Sequence, residues 1–307
     1  MIIQITGASG FVGQNLTQYF TKSPYKITAL SLRSENWEND LEQNADVLIN
    51  LVGKAHDHKK LATEQDFYFA NVELTKKIFQ AFIKSNIQLL IHVSSIAAIE
   101  ESNSNRFLDE TDESNSTSLY GKSKREAEEW LLEQILPENK KLIIIRPPMV
   151  HGTGDKGNLA LLYKLISKGI PYPLAAFDNR RSFISIDNFC FFIQEIIKNK
   201  DNIPSGIYHI ADDEAVSISQ IIDIIKSVTG KKVPNIALPK FIIKGIAKLG
   251  DFIPIPLNSV RLQKMTGNLL VSNKKIKQAL GIEKLPVTAT EGLEKTILSF
   301  KASSAGS

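Results

Sequence analysis

Tyr120-Gly-Lys-Ser-Lys124 sets a phenol and an ammonium four residues apart. On a helix that spacing puts both groups on one face, where the Lys124 charge favours the ionised form of Tyr120. A phenol ordinarily titrates near roughly 10 and is a poor base at neutral pH. Beside a cation it approaches the range in which it can take a proton from a sugar or alcohol hydroxyl, or return one. Such pairs also occur by chance on solvated helices, so the chemistry depends on elements that hold the pair against a reacting group.

The first such element is the N-terminal run Met1-Ile-Ile-Gln-Ile5, followed by Thr6-Gly-Ala-Ser-Gly10-Phe-Val-Gly13. Strand, glycine turn and helix are implied, the helix running from about Phe11 to Phe20. Gly7 lets the chain turn sharply, Gly10 lets the backbone approach a pyrophosphate, and Gly13 lets the helix lie close to the sheet. The free N–H groups of the helix start would hold the phosphate charge, with Ser9, Phe11 and Val12 lining the same turn. Further apolar runs at Ile27 to Leu32, Val47 to Val52, Leu89 to Val93, Leu142 to Ile145 and Gly206 to Ile210 alternate with helical patterns. An α/β fold with a parallel sheet and crossover helices follows.

Composition excludes several function classes. The chain has 307 residues and a net charge of +4, with lysine and arginine scattered among acidic residues, which gives nucleic-acid binding little support. Cys190 is the lone cysteine, within an apolar helical stretch, so an intrachain disulfide is impossible and a buried, inert thiol is expected. No leader-like segment precedes the first strand and no uncharged apolar run is long enough to span a bilayer, so a cytoplasmic location without membrane insertion is expected. Phe241 to Leu257, the most membrane-like stretch, is broken by Lys244, Lys248, Asp251 and two prolines, as in a surface-packed helix. Ala302 to Ser307 reads as a frayed tail, and no internal repeat is present.

His92-Val-Ser94-Ser95 ends the run from Leu89, about one crossover before Tyr120. With the glycine turn and the Tyr120–Lys124 pair in this order, the chain resembles the extended short-chain dehydrogenase/reductases, the NAD-dependent epimerase/dehydratase family acting on nucleotide-activated sugars. Asn71 in Phe69-Ala-Asn-Val72, Arg146-Pro-Pro148, Arg181-Ser-Phe-Ile-Ser-Ile-Asp187 and Tyr208-His-Ile-Ala211 extend the likeness over nearly the whole chain. The resemblance implies a Rossmann-type doubly wound parallel sheet with a smaller, interleaved C-terminal substrate domain. Residues 1–165 would form the dinucleotide-binding domain and receive later elements near 182–210. Residues 166–300 would mainly bind substrate, and 301–307 would form a disordered tail. It further implies that Ser95 hydrogen-bonds the reacting oxygen, with Ser94 as the alternative, while Tyr120 moves the proton. Lys124 would tune Tyr120 and hold the nicotinamide ribose, Asn71 would brace the strand end, and Pro147 to Val150, with Leu51 and Val52, would border the cofactor.

An acidic residue usually ends the second strand of NAD-binding members, about 20 residues after the glycines. Here that place reads Ser31-Leu-Arg33-Ser34. Arg33 with a neighbouring serine suits a 2′-phosphate, which favours NADP, whereas Glu35 leaves NAD open. Ser34 to Ala45 is too short for a full helix and strand, so the sheet is expected to lose an element or keep a stub around Trp37. Asp40-Leu41 would then supply the adenine contact.

Ligands of such sheets sit outside the carboxyl ends of the strands, so substrate contacts are expected beyond His151-Gly-Thr-Gly154. Asn158 and Arg181 match family positions that hold the diphosphate or nucleoside, with Arg180 as the neighbouring alternative; a planar guanidinium binds phosphate oxygens bidentately. Asp187 is a candidate helix cap. Lys156 to Leu159, Gly169 to Pro173 and Asn179 to Ser182 carry a likeness to 4-epimerases and 4-keto reductases for surface polysaccharides. The chemistry expected is hydride transfer at C4 of a UDP-sugar, as epimerase or NADPH-dependent reductase. Ile96-Ala97 replaces the acidic pair of 4,6-dehydratases. A homodimer is admitted. A non-catalytic dinucleotide sensor is the distant alternative, disfavoured because Tyr120 and Lys124 are both present. His56 and His58 lack a third ligand nearby, so no metal is expected. His92 reads as packed or hydrogen-bonded. The polar segment Glu100 to Ser118 reads as mobile surface, or as a lid over substrate.

Overall fold

The computed structural model describes residues 1–55, 62–172, 177, 179–234, 238–253 and 258–305. His56, His58 and Pro173 lie outside them, as do parts of the Phe241 to Leu257 stretch and of the tail. The strands are β1 (Ile2–Thr6), β2 (Lys26–Leu30), β3 (Val47–Asn50), β4 (Leu89–Val93), β5 (Phe107–Leu108), β6 (Lys141–Arg146), β7 (Met149–His151), β8 (Phe183–Ser185), β9 (Gly206–His209) and β10 (Leu270–Val271). The helices are α1 (Phe11–Phe20), α2 (Glu64–Tyr68), α3 (Leu74–Lys84), α4 (Leu119–Leu132), α5 (Asn158–Ser167), α6 (Ile186–Lys198), α7 (Ile218–Thr229), α8 (Lys240–Leu249), α9 (Ser259–Thr266), α10 (Lys274–Leu280) and α11 (Ala289–Ala305).

Six strands form one parallel sheet in the order β2-β1-β3-β4-β6-β9. Its central strands are continuous apolar runs because both faces are covered. On one face Ile3, Ile5, Ile49, Ile91 and Ile145 pack with Leu16 and Phe20 of α1 and with Phe189, Phe192 and Ile196 of α6. On the other, Leu48, Leu90 and Ile144 meet Ile78, Phe79 and Phe82 of α3 and Leu131 of α4. The chain adds β2 on one side of β1 and β3 on the other, so the winding reverses at β1, where the glycine turn begins. This is a doubly wound Rossmann-type fold. A second core joins Leu159 and Tyr163 of α5, Ile221 and Ile225 of α7, Ile243 of α8, and Leu293 and Ile297 of α11.

Between β2 and β3 the chain makes only the 3₁₀ turn Trp37–Asp40, the stub expected there. Trp37 and Leu41 are buried with Leu30 and Leu48. Gln4 of β1 staples the turn, its Nε2 donating to the Asp40 carbonyl (3.1 Å) and its Oε1 accepting from Glu42 N (2.9 Å). The tail expected to be disordered is helical over residues 301–305, the end of α11, and two further expectations differ from the structure. The cap of α6 is Ser185, which accepts from Asn188 N, while Asp187 lies in the first turn and binds Lys295. The segment from Glu100 to Ser118 is neither mobile surface nor a free lid but a fastened part of the fold. Phe107–Leu108 pairs with Leu270–Val271, Asn115 N donates to the Ile99 carbonyl, and Glu110 accepts from His209 N. Its polar side chains act as internal turn and cap partners, a use that composition does not reveal.

Candidate active site

The glycine turn, Ser95 and Tyr120 sit at carboxyl ends of the sheet or on the start of a helix facing it. Gly7 has φ +69°, a left-handed conformation that side chains rarely adopt. A Cβ on Gly13 would lie 2.4 Å from the Gly7 carbonyl oxygen, so only glycine lets α1 approach the turn. Gly10 caps α1 without a side-chain hydrogen bond, leaving the helix start free of a competing side chain. Phe11 lies near Gly152 and Gly154, and Asn15 Nδ2 donates to the Thr153 carbonyl (3.0 Å), which ties α1 to the loop after β7. Leu51 faces Gly7 across the switch point, and Val52 N donates to Asn50 Oδ1. A glycine cradle that any side chain would fill, at a helix N-terminus and a topological switch point, fits a dinucleotide pyrophosphate.

Behind the cradle a polar row crosses the sheet. Thr6, Asn50 and His92 stand side by side in register on β1, β3 and β4. Thr6 Oγ1 donates to Asn50 Oδ1 (2.7 Å), and Asn50 Nδ2 meets His92 Nδ1 (3.0 Å). All three are buried; His92 is pushed well below the usual histidine range by burial and then by the nearby Lys124 charge. It is a neutral packing partner, as the sequence suggests.

Ser118 caps α4 and Gly121 fits its first turn against the turn after β4. A Cβ on Gly121 would lie 2.3 Å from the Ala97 carbonyl oxygen. This close approach brings Tyr120 to Ser95, whose side chain draws the phenol's pKa down. Ser95 Oγ also accepts from Ala97 N (3.2 Å), whereas Ser94 Oγ is buried without a partner in the described structure. Lys124 is buried; its Nζ donates to the Val93 carbonyl (3.0 Å) and would lie 2.8 Å from a Cβ on Gly53. Gly53 thus leaves the gap that the ammonium fills.

The electrostatics differ from the simple pair argument. Burial pushes the Tyr120 phenol above its usual range, the Ser95 hydrogen bond pulls the other way, and the Glu101 and Glu128 carboxylates add to the rise. Burial brings Lys124 itself down to about 8, against the upward pull of Glu128.

Asn71 lies in the π-helical turn Phe69–Glu73 between α2 and α3, a rare geometry often found at functional sites. Its Oδ1 accepts from Lys54 N (2.8 Å) and its Nδ2 donates to Ser123 Oγ (2.8 Å), joining the strand end after β3 to α4. The Pro147 carbonyl accepts from Ile96 N (2.9 Å), so the turns after β4 and β6 are coupled.

Several residues that organise the site were not singled out in advance. Glu128 follows Lys124 by one turn and grips Arg146 with two hydrogen bonds, Nε to Oε1 (2.9 Å) and Nη2 to Oε2 (2.7 Å), both side chains fully buried. The Tyr120, Lys124, Glu128 spacing was a readable signal; Asn50, Gly53 and Ser123 carried none.

The outer positions are looser. Arg33 and Asp40 are exposed beyond the ends of β2 and the Trp37 turn, while Leu41 is buried in the core. Asn158 is exposed at the start of α5. Arg181 donates to the carbonyls of Gly267 (3.1 Å), Ser102 (3.5 Å) and Glu101 (3.3 Å), and burial lowers it from its ordinary value. Arg180 is exposed and reaches the Ala215 carbonyl. Cys190 is 2 % exposed and burial pushes its thiol up, as expected for an inert group. Among the described residues no group of three or more potential ligands could hold a metal.

This geometry has relatives. The chain is 28% identical to the UDP-glucose 4-epimerase of Vibrio cholerae, with 97% of this chain and 95% of that one covered. It is 25% identical to the N-acetyl-alpha-D-glucosaminyl-diphospho-ditrans,octacis-undecaprenol 4-epimerase of Escherichia coli O157:H7, covering 96% and 94%. The fold matches the UDP-glucuronic acid 4-epimerase from Bacillus cereus, solved with NAD, at a TM-score of 0.77 and 19% identity over 98% and 99% of the chains. The sequence profile of one enzyme family matches residues 3–211, the stretch that carries the glycine turn, Ser95, Tyr120 and Lys124, and on this ground the chain belongs to the NAD dependent epimerase/dehydratase family.

Proposed function

We propose that this enzyme transfers a hydride at C4 of a nucleotide-activated sugar, a UDP-sugar by analogy with its relatives, and acts as a 4-epimerase. The observation that carries the reading is the meeting of Ser95, Tyr120 and Lys124 at the sheet ends beside the glycine cradle. The nicotinamide supplies the hydride acceptor and donor when bound. Gly7, Gly10 and Gly13 would hold its pyrophosphate, Lys124 and Asn71 would keep the ribose side of the site in place, and the turn at Pro147 would border the ring. Ser95 donates to or accepts from the sugar O4. Tyr120 Oη takes the O4 proton as C4 is oxidised, and returns it when the 4-keto sugar is reduced on its other face. The second core, with Asn158 and Arg181, carries the nucleoside diphosphate. A role in surface polysaccharide synthesis is supported by the relative that acts on an undecaprenyl-diphosphate sugar.

A second reading, net reduction of a 4-keto sugar with NADPH, is favoured by one observation: Arg33 is exposed near the end of β2, without a carboxylate at the position that usually holds the ribose. One assay separates the readings. Purified protein is analysed for co-purifying nicotinamide and incubated with UDP-glucose, UDP-N-acetylglucosamine and a 4-keto-6-deoxy UDP-sugar, with and without NADPH. Isomer formation without added reductant supports the epimerase, and NADPH oxidation with the keto sugar alone supports the reductase. Absence of turnover with all three rejects the substrate class.

A further inference from the structure

Helix α8 and the turn after it present an outward apolar face. Phe241 is 75 % exposed and Phe252 84 %, with Ile242, Ile246, Leu249 and Ile253 exposed beside them. Within α8, Ile243 and Ala247 turn inward and join the second core. At 100° per residue, Phe241, Leu249, Ile242 and Ile246 occupy one sector of the helix. Lys248 and Lys244 flank the Phe241 edge of that sector, about 20° and 60° from it, while Lys240 lies over the Phe177 ring. Isolated exposed apolar side chains are ordinary, but a contiguous cluster rimmed by one sign of charge marks an interaction surface.

We propose that this face docks the enzyme on an anionic lipid bilayer, with α8 lying in the interfacial plane. The apolar sector would enter the headgroup boundary, while the lysine stems reach sideways and leave their ammonium groups among lipid phosphates. Charge selects this occupant. Asp251 is the sole carboxylate in residues 240–253, and Ser259 already donates to it through N and Oγ. A second copy packed face to face across a two-fold axis would bring the lysines of both copies into one contact with little opposing charge. Spanning is a different matter, since no helix among the described residues is long and apolar enough to cross a membrane. Helix α8 packs on α9, and the Gly267 carbonyl just after α9 accepts from Arg181 (3.1 Å).

The test is co-sedimentation of the full chain with phosphatidylcholine vesicles, with and without phosphatidylglycerol. The expected result is binding about tenfold or more stronger to the anionic vesicles, weakened by salt. It should be lost in Phe241→Ser/Phe252→Ser and, separately, in Lys244→Glu/Lys248→Glu. Both pairs are exposed and none of the four belongs to the residues named at the site, so turnover of a water-soluble UDP-sugar should be unchanged. The lysine pair keeps the test decisive if the phenylalanine pair folds poorly. Equal binding to neutral and anionic vesicles, or no binding to either, overturns the proposal. So does a dimer, seen by sedimentation equilibrium, that Phe241→Ser dissociates. Because vesicle binding is read without substrate, its failure is distinguishable from failure of the sugar-nucleotide reading.

Discussion

Tyr120 stands at the centre of the site with its phenol raised, not lowered, and that sharpens what its replacement should do. Tyr120→Phe removes the proton carrier while leaving the ring, the Gly121 packing and the cradle in place. Turnover should fall by about 10²- to 10⁴-fold, while nicotinamide affinity, read by fluorescence titration, should change little. A variant with full turnover would sink the catalytic assignment and revive a dinucleotide-sensing role. Gly13 gives the complementary result. Gly13→Ala places a Cβ 2.4 Å from the Gly7 carbonyl oxygen, so the turn must open and dinucleotide binding should be lost first. Retained binding in calorimetry would contradict the cradle. At Arg33 the expected effect is selective. Arg33→Ser should weaken NADP by about 10- to 100-fold and leave NAD unaffected if the guanidinium meets a 2′-phosphate, since a charge-assisted hydrogen bond is worth about 1.5–3 kcal/mol. Equal loss of both cofactors would remove the argument for NADP.

At the scale of elements, α4 is the part that turns a sheet into a site. Its face carries Tyr120, Lys124 and Glu128 in succession, and Glu128 locks onto Arg146 at the end of β6. The same carboxylate supports the charge on Lys124. Glu128→Gln would leave a fully buried guanidinium without its counter-ion, which costs about 3–5 kcal/mol. Urea unfolding should show the loss directly, and an unchanged midpoint would mean that the helix is held by packing alone. Helix α3 has a comparable anchor. Lys140 Nζ donates to the Phe82, Ser85 and Ile87 carbonyls around the end of that helix, a cation placed where the helix dipole favours it.

For the whole molecule, buried titratable groups set the response to acid. Burial lowers His151 to about 4 and His209 to about 3, against an ordinary value of 6.5. The unfolded chain therefore binds more protons than the folded one in that window. Their contribution is complete above pH 6.5 and is lost as pH falls through about 4 and about 3. Asp212, raised by burial to about 6 from 3.8, acts in the opposite sense: its contribution is present below pH 3.8 and lost as pH rises through about 6. The buried histidines, His92 included, outweigh the raised carboxyls Asp212 and Glu110, so stability should fall between pH 6.5 and pH 4. Urea midpoints at those two pH values check this, and His209→Gln should flatten the slope. An equal slope in that variant would place the acid sensitivity elsewhere.

The order and identity of the main elements were legible in the chain because they depend on local pattern. Leu89–Val93 and Phe11–Phe20 fall where apolar periodicity and the glycine turn put them. Tyr120 and Lys124 could be picked out as candidates from their types and spacing, while the direction of the Tyr120 shift could not. What the chain could not reveal by itself were contacts between residues far apart in sequence. The Thr6, Asn50 and His92 row exists only through strand register, and the need for glycine at 53 and 121 only through what packs against each. The polar segment from Glu100 to Ser118 reads as mobile by composition, yet it is fastened through partners such as Leu270, Asn268 and His209. Composition and periodicity are local quantities, so they specify which elements form and which groups they carry. Burial, hydrogen-bond partners and the direction of a pKa shift are set by the whole fold, and only the tertiary structure decides them.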